Sequence, residues 1–324
     1  MRRRTFVAAV LLLCGAILQG QGRFRGWTIV PLPHLPGAIF SEALAVNGRG
    51  EAVGWSGATF ETAHAVLWRD GAAVDLGTLG GPQSRAWGIN DRSQVVGEAQ
   101  VASGDFHAFL WEDGVMHDLA DAGPFNRAFA INERGEVAGH YQLQNLLWRD
   151  GALTELTGLI TARDVNDRTE IAGALAADDA GTVHPAIWRD GIALDLGLPQ
   201  GASFGAAWAI NKRGVVVGET DGPAFRWENG TMVVLPPLIP FGGTFALDVD
   251  DSGFLVVGNS MSDPNGIGGS PHAVVWLGRR PIDLGTLPGD TISSAWAIDD
   301  KGRFIAGFST DATSFGRAVM WTPR

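Results

Sequence analysis

The sequence predicts an all-β protein: a closed ring of seven four-stranded antiparallel units. Three observations predict it. A Trp-anchored phrase recurs seven times, an Asn/Asp-anchored phrase precedes each Trp, and the two chain ends are permuted relative to the repeat.

The Trp anchors are Trp68, Trp111, Trp148, Trp188, Trp227, Trp276 and Trp321, each closing an apolar or alternating run such as "HAVLW" or "HAFLW". After the first five comes Asp-Gly or Asn-Gly, as in "WRDG", "WEDG" and "WENG". Such a dipeptide between alternating runs is a hairpin signal, because a type I′ turn needs positive φ at both central residues. The second phrase reads "AWGINDRSQVVG" at 86–97 and "AWAINKRGVVVG" at 207–218, with kin in every unit. It predicts strand, turn, strand, with Asn or Asp opening the turn and Gly three residues later. Ser93 and Thr169 replace that Gly. Thr169 is β-branched and disfavours positive φ, so the fourth turn is expected to differ in geometry.

Together the phrases give strands a, b, c and d, and the anchors (Asn47, Asn90, Asn132, Asn166, Asn211, Asp250, Asp299) lie 42 residues apart on average. Four strands in about 40–45 residues is a β-propeller blade. The seventh unit stops after Trp321 without strand d. Conversely, "VPLPHLPGAIFSEALAVN" (30–47) aligns without a gap beneath "IDLGTLPGDTISSAWAID" (282–299). An orphan strand near Thr28–Leu32 is therefore expected to pair with strand c near Ala318–Trp321, closing a seven-bladed propeller and removing the open sheet edge.

The start of the chain has its own logic. Arg2, Arg3 and Arg4 precede an apolar run, Phe6–Leu18, and a small polar "QGQG", the pattern of a secretory signal peptide over 1–22. The run is too short for a membrane span of about 20 residues. The mature domain is expected over 23–324, exported from a bacterium to the periplasm or beyond. Cys14 is the single cysteine, so cleavage leaves no disulfide or thiolate metal site. Removing the three arginines takes the net charge from −11 to −14. Such a surface repels nucleic acid, whose binding rests on Lys and Arg neutralising phosphates. A monomer without cofactor is expected.

"HAFLW" following "AxxIN…VVG", together with "DLGTLGG" at Asp75–Gly81, resembles the HAF repeat, named for the His-Ala-Phe found here at His107–Phe109. The resemblance covers nearly all of the mature chain and is weakest in unit three. It implies export and repetition, and it brings no catalytic residue with it.

Function is sought where the units differ. Connections a–b and c–d are tight turns on one face of the ring. Connections b–c and d–a are longer and variable on the other, which is where binding sites on a fixed scaffold are built. Candidate ligand-binding residues at this loop face and the channel mouth are Arg85, Trp87, Arg127, Phe129, Arg163, Trp208 and Trp296. The aromatic residues lie on strand a, where they either line the channel and stack on sugar rings or, the plainer reading, pack between blades. The arginines either meet an anion or pair locally. His64, His107, His184 and His272 stand four residues before an anchor Trp. Repeat symmetry spreads them around the ring, too far apart for shared metal ligation, so a repeated structural hydrogen bond at the start of strand c is expected. "DVDDSG" (Asp248–Gly253) starts like a calcium loop but offers Asn259 where an EF-hand needs Glu. No nucleophile, zinc, phosphate-loop or dinucleotide motif occurs. The expected function is a secreted, non-catalytic binding or scaffold propeller with a carbohydrate or protein ligand. The alternative is a carbohydrate-active hydrolase or lyase using acids gathered at the channel mouth.

Overall fold

The computed structural model describes residues 26–123, 125–240, 242–262, 270–311 and 316–324. The segment 1–22, with Cys14, lies outside them, as do Asp263–Asn265. The described residues form seven four-stranded antiparallel sheets. Blade one comprises strands a to d at Phe40–Val46, Ala52–Gly57, His64–Arg69 and Ala72–Asp75. The later a strands are Gly80–Ile89, Arg127–Ile131, Thr161–Val165, Gly205–Ile210, Thr244–Val249 and Ile292–Ile298.

The turns form as the dipeptides dictate. Asp70-Gly71, Asp113-Gly114, Asp150-Gly151, Asp190-Gly191 and Asn229-Gly230 have positive φ at both residues. The fourth a–b turn corrects one expectation. Thr169 adopts φ 61°, close to Ser93 at 60°, and its amide donates to Asn166 O like its counterparts. The reason is a distant partner: the Thr169 hydroxyl donates to the Glu136 carboxylate at 2.8 Å, as Ser93 does to Glu51 at 2.6 Å. A hydrogen bond to a charged group offsets the backbone strain.

Seven apolar clusters hold the ring together, each between adjacent blades. The anchor Trp is the wedge. Trp276 is fully buried against Val215, Val217 and Ala224 of the preceding blade, and its indole N–H donates to Pro236 O at 2.7 Å. A polar stitch accompanies the wedge. Ser84, Thr244 and Ser293 on strand a accept the amides of Ala65, Ala224 and Ala273, which lie in or just before the preceding blade's strand c. Between blades four and five, donor and acceptor are lost together, since Pro185 has no N–H and Gly205 has no hydroxyl.

The ring closes as the permuted ends predict. Trp27–Pro31 pairs antiparallel with Arg317–Pro323, in the register Thr28↔Thr322, Ile29↔Trp321, Val30↔Met320. Ser41 then accepts the Ala318 amide at 3.0 Å, the stitch that Ser84, Thr244 and Ser293 make at three other junctions.

Candidate ligand-binding channel

Every a strand carries a β-bulge at the same place. Pairing with strand b skips one residue, as between Ala128 and Ala130 or Ala162 and Asp164. The skipped residues are Leu44, Trp87, Phe129, Arg163, Trp208, Leu247 and Trp296. A bulge re-aims its extra side chain, and all seven line one cavity of about 240 Å³ on the ring axis. Gly54, Gly97, Gly139, Gly173, Gly218, Gly258 and Gly307 on strand b make room: a Cβ there would overlap a strand-a carbonyl. The four candidate aromatics are therefore channel residues, while the anchor Trp packs into the apolar core between blades.

Towards the tight turns, the channel is a repeated hydrogen-bond frame. Each anchor Asn accepts amides of its own turn through Oδ1 and donates through Nδ2 to the next blade's anchor carbonyl. The links run Asn47 to Asn90 O (3.0 Å), Asn90 to Asn132 O (3.1 Å), Asn132 to Asn166 O (2.9 Å), Asn166 to Asn211 O (3.0 Å) and Asn211 to Asp250 O (2.8 Å). Asp250 and Asp299 lack that donor. At Asp299 the guanidinium of Arg303 substitutes, bonding both the Asp299 carboxylate and Gly48 O. The rim is acidic, with Glu133, Asp167, Asp251 and Asp300, and Lys212 reaches across to Asp251 (2.8 Å) and Asp300 (2.6 Å).

Asp164 and Asp248 replace a small residue just after the bulge and line the same cavity. Both are tied down by amides. Asp164 accepts Val165 N (2.8 Å) and Ile210 N (2.8 Å), and Asp248 accepts Val249 N (2.7 Å) and Ile298 N (2.8 Å), so each bridges to the next blade. Each keeps some surface open to the cavity. Burial pushes the Asp164 pKa up to about 6. Burial, then repulsion from Asp164, holds Asp248 well above the usual carboxylate range.

Towards the loops, the chemistry changes from blade to blade. Cross-strand pairs at one level read Glu42↔Trp55, Arg85↔Glu98 and Arg127↔His140, with Ala206↔Glu219 further round. Glu98 is buried and receives Arg127 Nε at 2.6 Å and Arg85 at 3.9 Å. Arg85 lies 4.3 Å from the Trp55 ring centre. Glu42 accepts the indole N–H groups of Trp55 (3.1 Å) and Trp296 (2.8 Å), and burial raises its pKa. His140 stacks on Phe129 with centroids 5.2 Å apart, and burial, then Arg127, lowers its pKa. Arg163 sits between the rings of Trp208 (4.6 Å) and Phe129 (5.1 Å) and, among the described residues, makes no hydrogen bond or ion pair.

The structure thus divides the sequence candidates. Trp87, Phe129, Arg163, Trp208 and Trp296 converge on the cavity. Arg85 and Arg127 sit above it, paired locally through Glu98 as the plainer reading holds. Glu42, Trp55, Glu98, His140 and Glu219 were not singled out from sequence. Four of them, Trp55, Glu98, His140 and Glu219, directly follow the bulge-permitting Gly, a column whose variety was the available signal. The four repeat histidines are structural: His64, His107, His184 and His272 bond Asp75, Asp118, Asp195 and Asp283 at 2.7 to 2.9 Å. Asp250 opens its a–b turn, accepting the Phe254 and Leu255 amides. Among the described residues no three His, Cys, Asp or Glu side chains are grouped to hold a metal ion.

No protein-family model and no curated protein matches the sequence. Solved structures share its shape. The β-propeller domain of the Trilobed protease from Pyrococcus furiosus has a TM-score of 0.58 at 11% identity, over 88% of this chain and 94% of that one. An extracellular domain of a two-component system protein from B. thetaiotaomicron has 0.56 at 11% identity over 90% of this chain, which spans only 39% of that domain. A puromycin-hydrolyzing peptidase from Mycobacterium tuberculosis has 0.55 at 12% identity, over 92% and 54%. Among the described residues no helix is long and apolar enough to cross a membrane. At such identities the likeness shows the fold: this chain is a seven-bladed β-propeller closed by its N-terminal strand.

Proposed function

We propose that this propeller is an exported, non-catalytic binding module whose ligand, a carbohydrate, binds in the channel at the level of the seven bulges. One observation carries the reading. The seven bulges turn one side chain per blade into the channel, and five of the seven are Trp87, Phe129, Arg163, Trp208 and Trp296. Half-buried aromatic faces stack on sugar rings through dispersion and apolar burial. Export rests on the Arg2–Arg4 and Phe6–Leu18 pattern, in keeping with the HAF-repeat resemblance.

A thermal-shift screen of residues 23–324 against plant, bacterial and cell-wall oligosaccharides tests it. A ligand that binds the native state raises the melting point with occupancy. A reproducible shift for one saccharide class, lost in Trp208→Ala, is expected. No shift for any saccharide contradicts it.

A second reading has one observation in its favour. Asp164, whose pKa burial pushes up to about 6, is protonated for a large part at mildly acidic pH, as a general acid needs, and Asp248 shares its cavity. In that case the protein cleaves the saccharide it binds, and Asp164→Ala, which installs the residue of blades three and five, abolishes turnover while binding persists.

A further inference from the structure

The loop-side channel holds hydrogen-bond donors without acceptors. The Arg163 guanidinium has none among the described residues. The buried Trp87 Nε1, Arg85 Nε and Thr161 hydroxyl likewise have no partner. Buried polar groups in folded proteins are almost always bonded, so each orphan calls for an explanation. Arg163 calls for most, being both charged and desolvated. Burial lowers its pKa, and the charges acting on it are those of Glu219 and Arg127 rather than of its neighbour Asp164. Asp164 is instead held by the Val165 and Ile210 amides.

The two aromatic neighbours confine the group. Phe129 and Trp208 place their ring centres 5.1 and 4.6 Å from the guanidinium carbon, so rings rather than acceptors flank it. A guanidinium presents an N–H fork, whose geometry matches a carboxylate bidentately. Held by stacking, the fork loses little entropy on binding.

We infer that the channel ligand is an acidic saccharide, and that the fork of Arg163 receives a uronic acid carboxylate while the neighbouring aromatic faces receive the sugar rings. This rests on the carbohydrate-binding reading above and adds the ligand's charge.

The test is calorimetric titration with trigalacturonate, its methyl ester and neutral galactotriose. Esterification keeps the ring, removes the charge and adds one methyl group, and neutral galactotriose, which has neither charge nor methyl, separates the two effects. The wild-type protein is expected to bind the free acid at least tenfold more tightly than the ester. Arg163→Met, which removes the charge and keeps an apolar stem, is expected to erase that preference, and Arg163→Lys, which keeps a positive charge but not the fork, to reduce it, with both variants melting within error of the wild type. Equal affinity for acid and ester, or a preference that survives in both variants, overturns the inference and leaves the binding reading standing. Binding of no saccharide overturns both. Tight binding of an acetylated tetraglutamate peptide in place of trigalacturonate overturns the saccharide assignment.

Discussion

The two ends of the channel are built from the same seven strands and obey different rules. At the tight-turn end, five of seven anchors are Asn, and each makes the same bonds to its own turn and to the next blade. At the loop end, the channel-side columns hold Glu, Arg, Thr, Ala, Phe and Ser on strand a and Trp, Glu, His, Ala, Asn and Phe on strand b, so the channel lining changes from blade to blade. The lesson concerns repeats: uniformity marks the frame, and departure from uniformity marks the surface free to specialise. Arg163 is the sharpest departure, a charge in a column otherwise filled by Leu, Phe and Trp.

Substitutions can break this contrast, and the largest effect is expected in the core between blades. Trp276→Ala removes a fully buried wedge and is expected to cost about 3–5 kcal/mol, read as a lower denaturant midpoint. Asn132→Ala comes next. It deletes bonds to the Arg134 and Glu136 amides and to Asn166 O, stranding buried groups. About 3 kcal/mol is expected, or a melting point lower by about 2–4 °C for each kcal/mol. Thr169→Val keeps the shape and positive φ but loses the bond to Glu136, for about 1–2 kcal/mol. An unchanged melting point would show that the hydroxyl does not hold that turn.

The smallest effect is in the exposed His–Asp pairs. The Asp283 hydrogen bond raises His272, while Asp283 itself is lowered, burial opposing and the His272 bond depressing it. A raised His pKa gives stability that is complete below its unfolded value, 6.5, and lost as pH rises through the folded value. A lowered Asp pKa gives stability present above 3.8 and lost as pH falls through the folded value. The pair therefore contributes most between these limits. Because Asp283 is 44% exposed, solvent screening keeps the contribution below about 1 kcal/mol. Melting His272→Gln beside the wild type should show a gap near pH 5 that narrows as pH rises above 6.5. A gap that widens with pH contradicts the pairing.

Much of the fold was legible because it is written in local chemistry. Asp-Gly turns, Trp anchors and the permuted "LPG" alignment each need only a few adjacent residues. The bulges were written too, in the mid-strand Gly of every "VVG" or "VAG", since Gly inside a strand marks a bulge or a close backbone approach. Read as strand residues alone, they left the aromatics of strand a with two possible directions. Thr169 was misread because its partner, Glu136, stands 33 residues earlier, although Glu51 and Ser93 repeat the relation. The sharing of Glu98 by Arg85 and Arg127 was not legible, because nothing local links two arginines on different blades to one carboxylate.

The most direct test of the division between frame and site is to melt Trp208→Ala and Trp276→Ala beside the wild type, each with and without the saccharide that shifts the wild-type protein. The account predicts that Trp208→Ala melts with the wild type and loses the ligand shift. Trp276→Ala is expected to melt lower and, below its own transition, still bind. Equal destabilisation by both, with the shift retained in Trp208→Ala, would place the bulge ring in the core and contradict the account.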